Sequence, residues 1–178
     1  NFLFTLGIHQ SVVNSVVLEP FLLINTNENM LAFANGQPIP HIINNIFVPT
    51  FGMVGGTGST ISLLIAIFIF SRQKSAKQVA RLSLAPGLFN INEPVIFGLP
   101  IVFNLPLMIP FVLLPAIGIY FAWLCTTLGL MSRCVVMIPW TTPPILSAWL
   151  ATAGDWRAVV VQLAIIVFGV FFYLPFLK

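Results

Sequence analysis

Long apolar stretches without any Asp, Glu, Lys or Arg dominate the chain. They run from Ile42 to Ser71, from Pro94 to Ser132, from Val135 to Gly154 and from Ala158 to Leu177. A helix needs about 20 residues to cross the hydrocarbon core of a bilayer, so each stretch is long enough for at least one crossing. The stretches lack the apolar–polar alternation of strands in a membrane β-barrel. The pattern therefore predicts an all-α, polytopic integral membrane protein.

Prolines and asparagines interrupt two of the apolar segments, Pro38–Pro49 and Pro86–Pro106. Proline removes a helix hydrogen bond and disfavours helical geometry at the residue before it, so neither segment should form a continuous helix. Non-helical backbone at membrane depth is tolerated where protein buries it or where it lines a cavity. We expect a re-entrant hairpin or broken helix in the second segment, with Asn92 and Glu93 near its tip.

The remaining segments differ in polarity. Phe2–Leu18 is apolar but carries polar side chains, and we expect those side chains to face a protein interior or a wet cavity. Glu19–Gln37 is rich in asparagine and is expected to be a loop outside the bilayer core. Gly52–Ile69 is typical of a helix that packs closely through small residues. Arg72–Arg81 contains four basic residues and no acid, which predicts a cytoplasmic position.

Composition supports the membrane assignment. The chain has 178 residues, of which 58% are hydrophobic and 6% are charged. A soluble domain carries about a quarter charged residues, so an ordinary soluble domain is excluded. The net charge of +3 reflects few acids rather than a basic face, which argues against a nucleic-acid partner. Cys125 and Cys134 have no paired-motif spacing and are expected to be reduced.

Glu93 is the strongest candidate for a functional residue. Placing a carboxylate at membrane depth costs roughly 2.5–3.5 kcal/mol even on the insertion scale. Asn90, Asn92 and the backbone broken at Pro94 surround it in sequence, and such groups can hold a carboxylate and a polar ligand together. The alternative is a glutamate that caps a helix at a turn.

Three further residues are candidates for ligand contacts. His9 lies in the first apolar segment, where a binding role and a histidine bonded to a core carbonyl are equally good interpretations. Trp140 and Thr141 offer an aromatic face and a hydroxyl, which suit a sugar, although a tryptophan at an interfacial kink explains them as well. The sequence shows no ligand set for a metal, no nucleophile motif and no cofactor motif, so we expect no metal, cofactor or catalytic residue.

Several motifs resemble those of one known family. The stretch GLFNINEPVIFGLPIVFN at 87–104 resembles the signature of the sugar-specific enzyme IIC permeases of the bacterial phosphotransferase system, most closely the lactose/cellobiose/diacetylchitobiose branch. Four other motifs resemble those of the family and follow the family's order: GIHQ at 7–10, GMVGGTGST at 52–60, PWTTPP at 139–144 and ATAGDWRAVVVQ at 151–162. The resemblance spans nearly the whole chain.

The resemblance implies a function and a set of partners. A dimeric permease in the bacterial cell membrane would bind an extracellular disaccharide and move it inward. Enzyme IIB, phosphorylated on cysteine by enzyme IIA, would then phosphorylate the sugar. By similarity, Glu93 and His9 would contact the sugar, with Asn92 nearby. Neither cysteine of this chain resembles the enzyme IIB site, so the phosphoryl donor is expected to be another chain.

Family members are more than twice as long, so residues 1–178 are expected to be a partial substrate-binding domain without the N-terminal dimerisation half.

Three interpretations other than a sugar permease remain open. A non-functional remnant of a truncated gene would show the same motifs. An ion-coupled secondary transporter could use Glu93 as a proton site. A membrane-embedded enzyme acting on lipid would need a nucleophile or metal set, which the sequence lacks.

Overall fold

The structure is a computed structural model that describes residue 2, residues 14–101 and residues 104–177. A π-helical turn, Asn14–Leu18, leads into the first long helix. The α-helices are α1 (Glu19–Ala34), α2 (Phe47–Gly52), α3 (Thr60–Phe70), α4 (Lys74–Leu88), α5 (Glu93–Gly98), α6 (Leu105–Thr127), α7 (Leu146–Ala151) and α8 (Trp156–Tyr173). A 3-10 turn, Leu174–Phe176, follows α8. These ranges contain no strand, and the all-α prediction is confirmed.

Two of these helical segments are long and apolar enough to cross a membrane: Leu105–Thr127, and Trp156–Phe176, which comprises α8 and the turn after it. Both have strongly exposed apolar side chains on their outer faces, among them Leu105 on α6 and Phe171 on α8. Their inner faces pack against each other. Apolar outer faces suit contact with lipid and agree with the prediction of a membrane protein.

Helix α3 forms the centre of the packed core. Leu63, Leu64 and Ile67 are fully buried, and α3 packs against both α4 and α8. The approach of α8 depends on small residues, because a Cβ atom at Gly169 would lie 2.5 Å from the Ser62 hydroxyl oxygen. The predicted close packing is confirmed. The helix, however, begins at Thr60 rather than near Gly52, since turns occupy residues 53–59.

The expectation of a loop over Glu19–Gln37 was wrong, because helix α1 covers most of it. Two of its asparagines, Asn25 and Asn29, bond to backbone groups of other segments. Buried Asn29 donates to the carbonyls of His41 (2.8 Å) and Cys134 (3.0 Å) and accepts from the His41 amide (2.9 Å). Asn25 donates to the Ile43 carbonyl at 3.0 Å. Tertiary contacts therefore outweigh the weak helix preference of asparagine.

The proline-rich segments are broken as predicted. Residues 37–46 are non-helical, and in Pro86–Pro106 the helix stops at Leu88 and restarts at Glu93. Pro94 and Pro106 lie at the starts of α5 and α6. The first turn of a helix has amide groups without partners inside the helix, so proline is tolerated there. The depth of this turn in the membrane stays a prediction.

A carboxylate caps the start of α8. The Asp155 side chain accepts hydrogen bonds from the Arg157 amide (3.0 Å) and the Ser132 amide (2.7 Å). Burial alone would raise the pKa of Asp155, but the hydrogen bonds from Arg157 and Ser132 outweigh burial and hold the pKa at about 2. The cap thus joins the loop after α6 to the α8 start and stays charged at neutral pH.

Candidate functional site

A cavity of about 950 Å³ lies between α1, α2, α6 and the loop that precedes α7. Its volume is in the range of small-molecule pockets. The wall is mostly apolar, with a few polar side chains that can orient a ligand. Polar and aromatic residues in the lining include Glu19, Thr50, Asn90, Trp140, Thr142 and Gln162.

The structure brings two of the predicted site residues to this cavity. Asn90 and Trp140 line its wall. Asn92 and Glu93, two and three residues beyond Asn90, are not among the lining residues. Thr141 is partly buried and does not line the cavity either. His9 lies outside the described residues.

Asn90 joins three separate parts of the chain. Its side-chain oxygen accepts from the Gly55 amide at 2.9 Å. Its side-chain nitrogen donates to the carbonyls of Trp140 (2.6 Å) and Thr142 (2.9 Å). Asn90 has a φ of +62°, a left-handed conformation that asparagine tolerates better than most residues. Both N–H groups of the amide are used within the chain, so Asn90 is built to position the Trp140 loop.

Asn92 anchors the start of α5 to the glycine-rich loop 55–60. Its side chain is buried, and its nitrogen donates to the Thr57 carbonyl at 2.6 Å. Its own carbonyl accepts from the amides of Val95 and Ile96, both at 3.0 Å. These contacts fix the direction in which the next residue, Glu93, leaves the turn.

Glycine is required where the loop meets this turn. Gly56 has a φ of +99°, and a Cβ atom there would lie 2.7 Å from the Asn90 carbonyl oxygen and 2.7 Å from Cγ of Asn92. Backbone strain and steric overlap would both follow from any larger residue. The GGTGST sequence is thus explained by close backbone packing, as a nucleotide site would also need a lysine that is absent.

Glu93 is the first residue of α5 and is exposed. Its carboxylate forms no hydrogen bond or ion pair with any residue in the described ranges. The helix-capping interpretation therefore lacks a capping hydrogen bond. A carboxylate that has no partner among the described residues can accept hydrogen bonds from ligand hydroxyl groups.

Sequence reasoning missed two polar residues of the cavity. Gln162 on α8 is 1% exposed. Its side-chain nitrogen donates to the Thr50 carbonyl (2.7 Å) and the Ser147 hydroxyl (2.9 Å), and its side-chain oxygen accepts from the Ile145 backbone amide (2.5 Å). Its position in an apolar span was a usable signal. Glu19 is the charged residue among those that line the described cavity. It was overlooked because its segment was interpreted as a loop outside the bilayer.

Gln162 also supports an unusual backbone conformation. Ile145, a β-branched residue, has a φ of +75°, and the hydrogen bond from its amide to Gln162 holds this turn at the start of α7. Such a conformation is strained for isoleucine and persists only where its surroundings fix it. The loop that carries Trp140 is therefore held by Asn90 at Trp140 and Thr142 and by Gln162 at Ile145.

Known proteins similar to this chain share one description. Residues 1–115 match the family described as "Phosphotransferase system, EIIC". A "PTS system cellobiose-specific EIIC component" of Lactococcus lactis subsp. lactis is 44% identical over 144 residues, which are 76% of this chain and 29% of that protein. The "Putative permease IIC component YwbA" of Bacillus subtilis is 37% identical over 177 residues, covering 99% of this chain and 40% of that one.

A solved structure shares the fold. The match is to the "transporter ChbC, the IIC component from the N,N'-diacetylchitobiose-specific phosphotransferase system", with a TM-score of 0.95 and 36% sequence identity. It covers 99% of this chain and 41% of ChbC. The chain thus spans about two fifths of the length of ChbC and YwbA.

Proposed function

The chain belongs to the phosphotransferase system EIIC family, and from this we propose that it is the substrate-binding part of a sugar permease in the bacterial cell membrane. The sugar is a disaccharide of the cellobiose, lactose or diacetylchitobiose type. The cellobiose-specific and diacetylchitobiose-specific names of similar proteins support this class. The chain covers 40% of the length of YwbA, and we propose that the full-length permease works as a homodimer.

The position of Asn90 and Trp140 on one cavity wall, with the exposed Glu93 three residues beyond Asn90, carries the proposal. Trp140 is 64% exposed, so its ring is available to stack on the apolar face of a sugar. Glu93 and His9 contact sugar hydroxyls, and Thr141 adds a hydroxyl beside the ring. Asn92 acts by directing Glu93, because its side chain is buried and donates to the Thr57 carbonyl. Asn90 acts through the loop it holds, because its N–H groups are already used.

Phosphorylation of the sugar falls to a partner protein. Cys125 and Cys134 are buried, so neither thiol is available to carry a phosphoryl group to a sugar. Enzyme IIB provides the phosphocysteine: its S–P bond breaks as a sugar hydroxyl oxygen forms the new O–P bond, and the hydroxyl proton passes to the cysteine thiolate that is left. Enzyme IIA transfers a new phosphoryl group to the cysteine of enzyme IIB.

Transport by the full-length protein in membrane vesicles tests this function. We expect labelled cellobiose to accumulate inside as the phosphosugar when phosphorylated enzyme IIB is supplied. We expect no accumulation when enzyme IIB is supplied without its phosphoryl group. Uptake of free sugar driven by a proton gradient, with no phosphosugar, would instead support an ion-coupled transporter.

The Arg72–Arg81 segment is placed on the cytoplasmic side in this proposal, because short segments rich in Lys and Arg stay inside. Cysteine introduced at the exposed Ser75 should react with an impermeant maleimide in inside-out vesicles and not in intact cells. The parent protein is the control, since its two cysteines within the described ranges are buried. Labelling of Ser75→Cys in intact cells would contradict the topology.

A further inference from the structure

Helix α4 has a sharply divided surface. Ala80, Ser83 and Gly87 are buried, and α4 packs against α3 and α5. Lys74, Lys77 and Arg81 repeat at intervals of three and four residues, which places them on one stripe of the helix away from the buried face. The basic stripe occupies the first two turns.

No acid neutralises this stripe within the described ranges. The ion pairs found there are Glu28–His41 and Asp155–Arg157, and neither involves α4. The sequence itself has no Asp or Glu between Glu28 and Glu93. The positive end of the helix dipole lies at the same end of α4 and adds to the positive potential.

The last two turns of α4 are apolar where they are exposed. Leu82 is 79% exposed, and Leu84 and Leu88 are 39% and 44% exposed. The helix rises about 1.5 Å per residue, so Leu88 lies about 10 Å beyond Arg81 along the axis. Charge at one end and leucine at the other, about 10 Å apart, matches the step from lipid headgroups to acyl chains.

We propose that α4 binds anionic phospholipid, with Lys74, Lys77 and Arg81 on the phosphate headgroups and Leu82, Leu84 and Leu88 among the acyl chains. Charge complementarity favours an anionic partner. The exposed leucines favour a bilayer over a water-soluble protein such as enzyme IIB, because that partner would leave the apolar turns in water. The lipid contact is an addition to the permease function and does not require sugar binding.

The contact would also set the depth of the sugar site. Helix α4 leads directly into the turn at Asn90, which lies nine residues beyond Arg81. At helical rise this corresponds to about 13 Å below the headgroup level, close to the middle of a hydrocarbon core of about 30 Å. Headgroups that hold the basic stripe therefore hold the Asn90–Glu93 turn near mid-membrane. This consequence rests on the membrane placement proposed above.

Native mass spectrometry of the full-length protein with added phosphatidylglycerol or phosphatidylcholine tests the proposal. The parent should bind phosphatidylglycerol more tightly than phosphatidylcholine. The triple variant K74Q/K77Q/R81Q should lose about fivefold in phosphatidylglycerol affinity for each charge removed. The control K74R/K77R keeps the charges and should bind as the parent does, and R133Q removes a charge elsewhere and should have no effect.

A second variant, L82N/L84N/L88N, should weaken binding of both lipids, because it removes the acyl contact. Unchanged lipid binding in either triple variant would overturn the proposal, and loss of enzyme IIB binding with lipid preference intact would assign the stripe to enzyme IIB. Disaccharide binding in detergent, without added lipid, should be intact in all variants. That readout separates a failure of this proposal from a failure of the permease function or of folding.

Discussion

Replacing Glu93 by glutamine in the full-length protein is expected to lower disaccharide affinity by about tenfold or more. The substitution keeps the size and shape of the side chain but removes its charge. A hydrogen bond to a charged group contributes about 1.5–3 kcal/mol, so its loss has this magnitude. Titration calorimetry with the parent and the variant measures the change.

The thermal stability of Glu93→Gln should stay near that of the parent, because Glu93 forms no hydrogen bond or ion pair in the described ranges. Glu28→Gln makes the same chemical change at an exposed carboxylate whose partner is His41, away from the cavity lining. It should leave sugar affinity unchanged. Equal affinity of the parent and Glu93→Gln would remove Glu93 from the sugar site.

The broken helix before α6 was predictable because its cause is local. Proline acts on its own residue and the one before it, and Pro94 and Pro106 lie where helix restarts, at the beginnings of α5 and α6. Proline alone does not decide the break, since Pro86 lies inside α4 and Pro110 and Pro115 lie inside α6. The apolar spans were predictable for a similar reason, since length and composition decide whether a segment can cross a bilayer.

The wrong assignment of Glu19–Gln37 has a non-local cause. Asparagine is a weak helix former and usually indicates a loop when it recurs. In α1 the decisive contact is that of Asn29 with Cys134, whose carbonyl comes from 105 residues further along the chain. A periodicity or propensity argument confined to one segment has no access to such a partner.

The candidate site shows the same division. The residue types at Asn90, Glu93 and Trp140 indicated polar and aromatic contacts, and the structure places Asn90 and Trp140 on one cavity. The sequence could not show that the Asn90 side chain is hydrogen-bonded to Gly55, Trp140 and Thr142, since these contacts join residues 35 to 52 positions apart. Gln162 in an apolar span could have been noted from the sequence, but its contact with Thr50, 112 positions away, could not.

Asn90→Gly should both destabilise the protein and weaken disaccharide binding. Glycine adopts the φ of +62° at this position without strain, so the variant isolates the loss of the amide. Three hydrogen bonds disappear, at about 1 kcal/mol each, and the freed carbonyls of Trp140 and Thr142 lose their donor. We expect the free energy of unfolding to fall by about 2–4 kcal/mol, and sugar affinity to fall because the Trp140 ring is no longer held.

A matched control separates this effect from the loss of any asparagine. Asn25→Ala removes one hydrogen bond, to the Ile43 carbonyl, at a partly buried position on α1. It should lower the free energy of unfolding by about 1 kcal/mol or less and leave sugar binding intact. Binding of both variants is compared at a temperature at which each is folded, so that affinity reports the site rather than the folded fraction. If Asn90→Gly then binds disaccharide as tightly as the parent, Asn90 does not position the Trp140 loop for sugar. We expect weak binding by folded Asn90→Gly and normal binding by Asn25→Ala. Of these two asparagines, Asn90 is the one that links the broken helix to the glycine-rich loop and to the loop that carries Trp140.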